Sequence, residues 1–223
     1  MTRINRLIVR TTFAIVASLW CGGPLLAQLN KVVKFNTGFY NHNVTDLSSA
    51  ITLKDNRKFT VCNQIELLLQ KKINSHISVT VGGCYLRNPV LLSAILVNGV
   101  DLGDMKYVNH CYGIPLYLHY FGGKRKQFMA ALGVEQMVYF LSHYRATSYD
   151  QVTRLVYNQF DFFPFKNALA EIGYNHTMVN KNELQFTFRT AFNLTWINTA
   201  YYRNKYEYIA SICVAYVFTA HEK

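Results

Sequence analysis

The sequence predicts an all-β protein, an antiparallel up-and-down transmembrane β-barrel of about eight strands. Three observations carry that expectation. Segments of roughly ten residues alternate with period two between a greasy and a wet face. The connections between them alternate between short and long. A segment with the layout of an export signal precedes them all.

Taken in order, the chain opens with Arg3, Arg6 and Arg10, continues through an apolar stretch from Thr12 to Trp20, breaks at Gly22-Gly23-Pro24, and offers Leu25-Leu26-Ala27 before Gln28. A positive start, a short apolar run and a small last residue are the parts of a cleaved signal peptide, assigned here to residues 1–27. The run falls short of the ~20 apolar residues a spanning helix needs. Trp20 is bulky where a lipoprotein peptidase needs a small residue before Cys21, which argues against lipidation. The expected mature domain is therefore 28–223. Losing three arginines takes the 23 basic residues to 20, against 12 acidic ones. That surplus sits in short clusters such as Lys71-Lys72 and Lys124-Arg125-Lys126, with no basic helix, so lipid phosphate is the expected anionic neighbour and nucleic acid is not.

Aromatic residues make up 15% of the chain, yet its longest mature apolar run, Pro89 to Val97, is interrupted by Ser93. An exported chain of this kind is either a closed membrane barrel or a secreted all-β domain, and alternation separates the two. In the seventh strand Leu184, Phe186, Phe188, Thr190, Phe192, Leu194 and Trp196 share one face, while Glu183, Gln185, Thr187, Arg189, Ala191, Asn193 and Thr195 share the other. In the third, Ile77, Val79, Val81 and Tyr85 oppose Asn74, His76, Ser78, Thr80, Gly82 and Cys84. In the second, Phe59, Val61, Ile65, Leu67 and Leu69 oppose Thr60, Cys62, Gln64 and Glu66, with Asn63 and Leu68 as apparent exceptions. The remaining strands are expected near 32–41, 107–121, 127–141, 167–178 and 205–218. A charge facing the bilayer centre costs ~2–4 kcal/mol, so the polar faces must look inward. Phe39, Phe59, Tyr85, Phe140, Trp196 and Tyr206 then fall at one membrane interface, and Tyr120, Phe128, Phe186, Tyr216 and Phe218 at the other.

Short connections at 70–72, 122–126 and 179–182 alternate with long ones at 41–58, 87–106 and 142–166, followed by an intermediate one at 198–204. Short periplasmic turns and long outer loops place both ends of the barrel domain on the periplasmic side and make the strand number even. Ten strands remain an alternative if Val90–Val97 or Tyr157–Phe165 adds to the sheet; both are read here as loop hairpins or lids.

The stretch Tyr112-Gly113-Ile114-Pro115-Leu116-Tyr117-Leu118-His119-Tyr120-Phe121, the glycine-bearing segment Gln127 to Phe140 and the aromatic-rich end Ala210 to Phe218 together resemble the PorT-like, porin-family outer-membrane β-barrel proteins of the Bacteroidota. The chain departs from their pattern in carrying five residues after Phe218. The resemblance implies the fold and a Gram-negative outer-membrane location; the family has no single activity to carry over.

Among residues that could carry chemistry, Pro115 cannot donate to a ladder and is expected to mark a bulge or kink. A turn centred near Asn180 sets Glu171 opposite Arg189, and Glu135 should stand at similar height, giving an inward charge cluster of Glu135, Glu171 and Arg189. Side chains fill so narrow a barrel, so the cluster reads first as a structural plug and second as a gate or proton-linked site. Cys62, Cys84 and Cys111 point inward on consecutive strands. An oxidising compartment makes a disulfide conceivable, but Cys62 and Cys84 are offset, and the state of Cys213 is open. No Cys-x-x-Cys or His pair supplies a metal site, and no cofactor is expected. Ser142-His143 is the one candidate catalytic pair, weakened because neighbours on a strand point to opposite faces. The expected function is a non-enzymatic barrel whose outer loops bind an envelope partner, a surface glycan or lipopolysaccharide. The alternatives are a small channel or ligand carrier, a lipid A-modifying enzyme, and a soluble lipocalin-like barrel with reversed faces.

Overall fold

The computed structural model describes residues 29–46, 51–55, 57–97, 100–101, 104–123, 125–147, 155–159, 164–194, 197–199, 202–204 and 208–220; the export segment and five-residue tail expected from the sequence lie wholly or mostly outside them. Side chains are described for 29–40, 60–89, 108–123, 125–138, 165–194 and 208–220. Eight long antiparallel strands follow one another: β1 (Asn30–Asp46), β2 (Arg57–Lys72), β3 (Ile77–Val97), β4 (Asp104–Gly122), β5 (Phe128–Thr147), β6 (Pro164–Thr177), β7 (Glu183–Asn193) and β8 (Tyr208–Phe218). Each pairs with the next, and β1 pairs with both β2 and β8, so the sheet closes and its backbone groups are satisfied without an edge.

Burial follows residue parity around the whole circle. On β7 the even positions Phe186, Phe188 and Phe192 are exposed, and the odd positions Glu183, Gln185, Thr187, Arg189 and Ala191 are buried. On β8 Ile212, Val214 and Phe218 face out, against buried Ser211, Cys213, Ala215 and Val217. The two apparent exceptions on β2 obey the same rule: Leu68 is inside and Asn63 outside. A lone apolar residue inside a filled barrel is packing material rather than a break in register. The exposed belt contains Phe35, Phe39, Val61, Ile65, Val81, Ile114, Leu116, Leu118, Leu132, Val134 and Ile172. On β4 the outward-facing side chains run from half-buried Tyr112 to exposed Tyr120, roughly 27 Å along a strand, or about 20 Å of height once the strand is tilted, close to the ~25 Å band of an outer-membrane barrel.

Strands continue past this belt at the end with the longer connections. Val90–Val97 is the upper part of β3 and pairs with the short strand Ile51–Asp55, instead of forming a separate lid. Leu155–Gln159 likewise pairs with the top of β5, and Tyr202–Asn204 with the top of β1. Poor alternation in Val90–Val97 and Tyr157–Phe165 predicts loops. Beyond the apolar belt neither face needs to be apolar, so hydrogen bonding can continue where alternation ends.

Candidate functional site

Five ionisable side chains from five strands meet at the barrel waist: Lys34 on β1, Glu66 on β2, Glu135 on β5, Glu171 on β6 and Arg189 on β7. All five are at most 4% exposed. Arg189 and Glu171 do stand opposite one another in the β6–β7 ladder. Their ion pairs nevertheless go elsewhere: Glu171 pairs with Lys34, and Arg189 pairs with Glu66 and lies 3.4 Å from both Glu135 oxygens. Long side chains starting on adjacent strands reach the axis of a narrow barrel, where residues of the opposite wall become their nearest partners. Glu135 is also not level with Glu171 along the ladder, facing Asn167 while Ala131 faces Glu171.

The carboxylates are further saturated by neutral donors. Asn36 Nδ2 donates to Glu66 at 2.6 Å, and the Tyr117 hydroxyl donates to both Glu66 oxygens at 3.0 and 3.1 Å. Gln64 Nε2 and Asn167 Nδ2 donate to Glu135 at 2.5 and 3.0 Å. Thr187 Oγ1 donates to Glu171 at 3.4 Å. A buried carboxylate without such partners would be strongly destabilising, and this density of donors is what makes three of them tolerable. Around the charges pack Val32, Leu68, Tyr117, Ala131, Leu169, Ala191, Ala215 and Val217. Each of the three waist carboxylates is thus engaged by both a cation and a neutral donor.

Tyr117, Lys34 and Glu66 were not singled out by their types or positions in sequence. Tyr117 is 1% exposed, its ring lies 4.5 Å below the Lys34 ammonium and 6.0 Å from the Arg189 guanidinium, and its hydroxyl reaches Glu66. It lies across Gly133 on β5, where an added Cβ would come within 2.9 Å of its ring. Parity was the available signal: all three occupy inward positions, and a charge at such a position near mid-strand must have a partner inside.

Pro115 is buried on β4 opposite Glu135, within an unbroken run of register against β5. The register shift falls instead between His110 and Cys111. On its other side the β3–β4 ladder skips from Val81↔Leu116 to Cys84↔Gly113, as a residue without an N–H requires. The displacement expected at Pro115 is thus absorbed as missing pairing, and the bulge sits nearer the outer end.

The four cysteines of the described strands, Cys62, Cys84, Cys111 and Cys213, are buried and not joined in disulfides. Cys84 Sγ lies 3.3 Å from Glu135 Oε1 and 3.4 Å from Met137 Sδ, beside Gly113. Among the described residues no group of His, Cys, Asp and Glu is arranged to hold a metal ion. Ser142 and His143 lie on the upper part of β5, with their side chains outside the described set. Above the waist lies a small pocket with room for about one water, lined by Tyr40, Leu86, Asn88, Phe165, Asn167 and Asn193 among others.

No known protein-family profile matches the chain, and no curated protein matches it. Among solved structures it is similar to Neisserial surface protein A, at 12% identity over 83% of this chain and 95% of that one, with a TM-score of 0.44. It is also similar to the outer membrane protein AlkL, at 13% identity over 88% and 93% with a TM-score of 0.37. A third is the attachment invasion locus protein Ail of Yersinia pestis, at 8% identity over 86% and 99% with a TM-score of 0.34. The eight-stranded barrel rests on this chain's own pairing, and nothing about ligands or partners passes to it from these proteins.

Proposed function

We propose that this chain is a non-enzymatic barrel of the Gram-negative outer membrane, exported by residues 1–27, that acts through the outer ends of its strands and loops on an envelope partner, a surface glycan or lipopolysaccharide. One observation carries the reading: a lipid-compatible belt encloses a waist closed by paired charges, so the surface left for recognition is the outer rim. The resemblance around Tyr112–Phe121 supports a PorT-like, Bacteroidota origin within that class. Reconstituted protein should show heat-dependent gel mobility, a mature start at Gln28 and silence in planar-bilayer recording. Solubility without detergent would overturn the membrane reading. Steady single-channel conductance would overturn the plug.

A ligand carrier is the second reading; it would need the pocket above the waist, which has room for about one water beside an Asn88 Oδ1 unpartnered among the described atoms, to widen. A lipid A-modifying role for Ser142 and His143 is the third. An unchanged lipid A mass profile in cells with and without the protein removes it.

A further inference from the structure

The end of the barrel with the short turns has a charge pattern the waist does not account for. The turns are 73–76 between β2 and β3, 123–127 between β4 and β5, and 178–182 between β6 and β7. At this end the described residues include Lys31, Lys71, Lys72, Arg125, Lys126 and Lys181. The one carboxylate among them is Glu183, 6% exposed and inward, held by Lys72 at 2.6 Å. Lys71, Lys72, Arg125, Lys126 and Lys181 are exposed.

Two of these cations stand where a lysine is a poor conformational choice. Lys126 has φ +55° and Lys181 has φ +65°, in turns closed by Lys126 N–H donating to the Gly123 carbonyl at 3.1 Å and Lys181 N–H donating to the Met178 carbonyl at 3.0 Å. Left-handed backbone is the province of glycine and asparagine, because a Cβ crowds the carbonyl there. Both turns thus place a cation where glycine would be less strained.

Depth says what the cations meet. The exposed aromatic rings of Tyr120, Phe128, Tyr174 and Phe218 mark the lower border of the apolar belt. Lys31 pairs across the β1–β8 ladder with Phe218 itself, and the turns continue directly below. A ring at the hydrocarbon border puts charges just beyond it among lipid headgroups, where basic residues attract anionic lipid.

Resting on the membrane reading above, we infer that the turn end is a cationic collar that binds the phosphodiester headgroups of anionic phospholipids in the periplasmic leaflet. Its surface holds them by multiple exposed ammonium and guanidinium groups, without a dedicated pocket. The interaction is electrostatic and should weaken at high salt.

The test uses the mature protein, folded into nanodiscs of phosphatidylcholine with a minority of phosphatidylglycerol, then stripped gently so that retained lipid can be counted by native mass spectrometry. Retained phosphatidylglycerol should be enriched roughly fivefold over the bulk ratio, and the enrichment should fall toward unity at 1 M salt. Lys126→Gly with Lys181→Gly should unfold at no lower urea concentration than the parent yet lose a large part of the enrichment, which a purely structural role for these lysines would not produce. Adding Lys71→Gln and Arg125→Gln should remove most of the rest, leaving what Lys31 and Lys72 hold. Arg87→Gln with Lys166→Gln, two cations at the opposite end of the belt, should remove a much smaller share. Absent enrichment in the parent, enrichment untouched by the turn substitutions, or equal loss in the Arg87 and Lys166 control would each overturn the collar. Failure of the parent to insert at all, seen as loss of heat-dependent mobility, would strike the membrane reading instead.

Discussion

The waist and the lipid belt are built on the same strands, one residue apart. Glu135 is 1% exposed and Val134 beside it 52%; Arg189 is 1% exposed and Phe188 beside it 51%. Inside, each charge depends on named partners far away in the chain, such as Lys34 and Glu171, 137 positions apart. Outside, each side chain needs only to be apolar. The interior is therefore specific and brittle and the exterior generic and tolerant, because buried charges cannot exchange partners while hydrocarbon surfaces can.

That contrast can be broken by mutation. Arg189→Ala strands Glu66 and Glu135 together and should cost about 3–5 kcal/mol, measured by urea unfolding in lipid vesicles. A loss under about 1 kcal/mol would mean the guanidinium is not what neutralises them. Glu171→Ala orphans Lys34 and should cost about 3 kcal/mol, whereas Glu171→Leu with Lys34→Met should recover most of it. If the double variant were no better than the single one, the pairing of these two residues would be refuted. On the outside, Leu132→Arg puts a charge at a position 69% exposed on the belt and should cost about 2–4 kcal/mol in a bilayer. The same substitution should be nearly silent if that surface faces water. Phe188→Leu should cost less than about 1 kcal/mol. Smallest of all, thiol reagents should leave Cys62, Cys84, Cys111 and Cys213 unmodified until unfolding, then find all four without prior reduction.

Legibility in the sequence tracks the same division. The two faces of β7 and β8 could be read from Leu184 to Phe192 and from Tyr208 to Phe218, because period two is a local property. The short turns were equally local. Where a strand leaves the apolar belt was not legible: Val90–Val97 reads as an interruption, yet continues β3 because Ile51–Asp55 is there to pair with it. At the waist, inward placement of Glu135, Glu171 and Arg189 followed from parity, but the identity of each partner did not. Pairing along a ladder suggested Arg189 with Glu171, and the width of the closed barrel decided otherwise.

By itself, then, the sequence determined which residues look in and which look out, and hence that charges must be gathered along an axis within an apolar wall. Closure of β1 onto β8 decided which charges meet. Alternation is set by neighbouring backbone geometry, whereas contact across a lumen depends on strand number and on the reach of side chains from opposite walls.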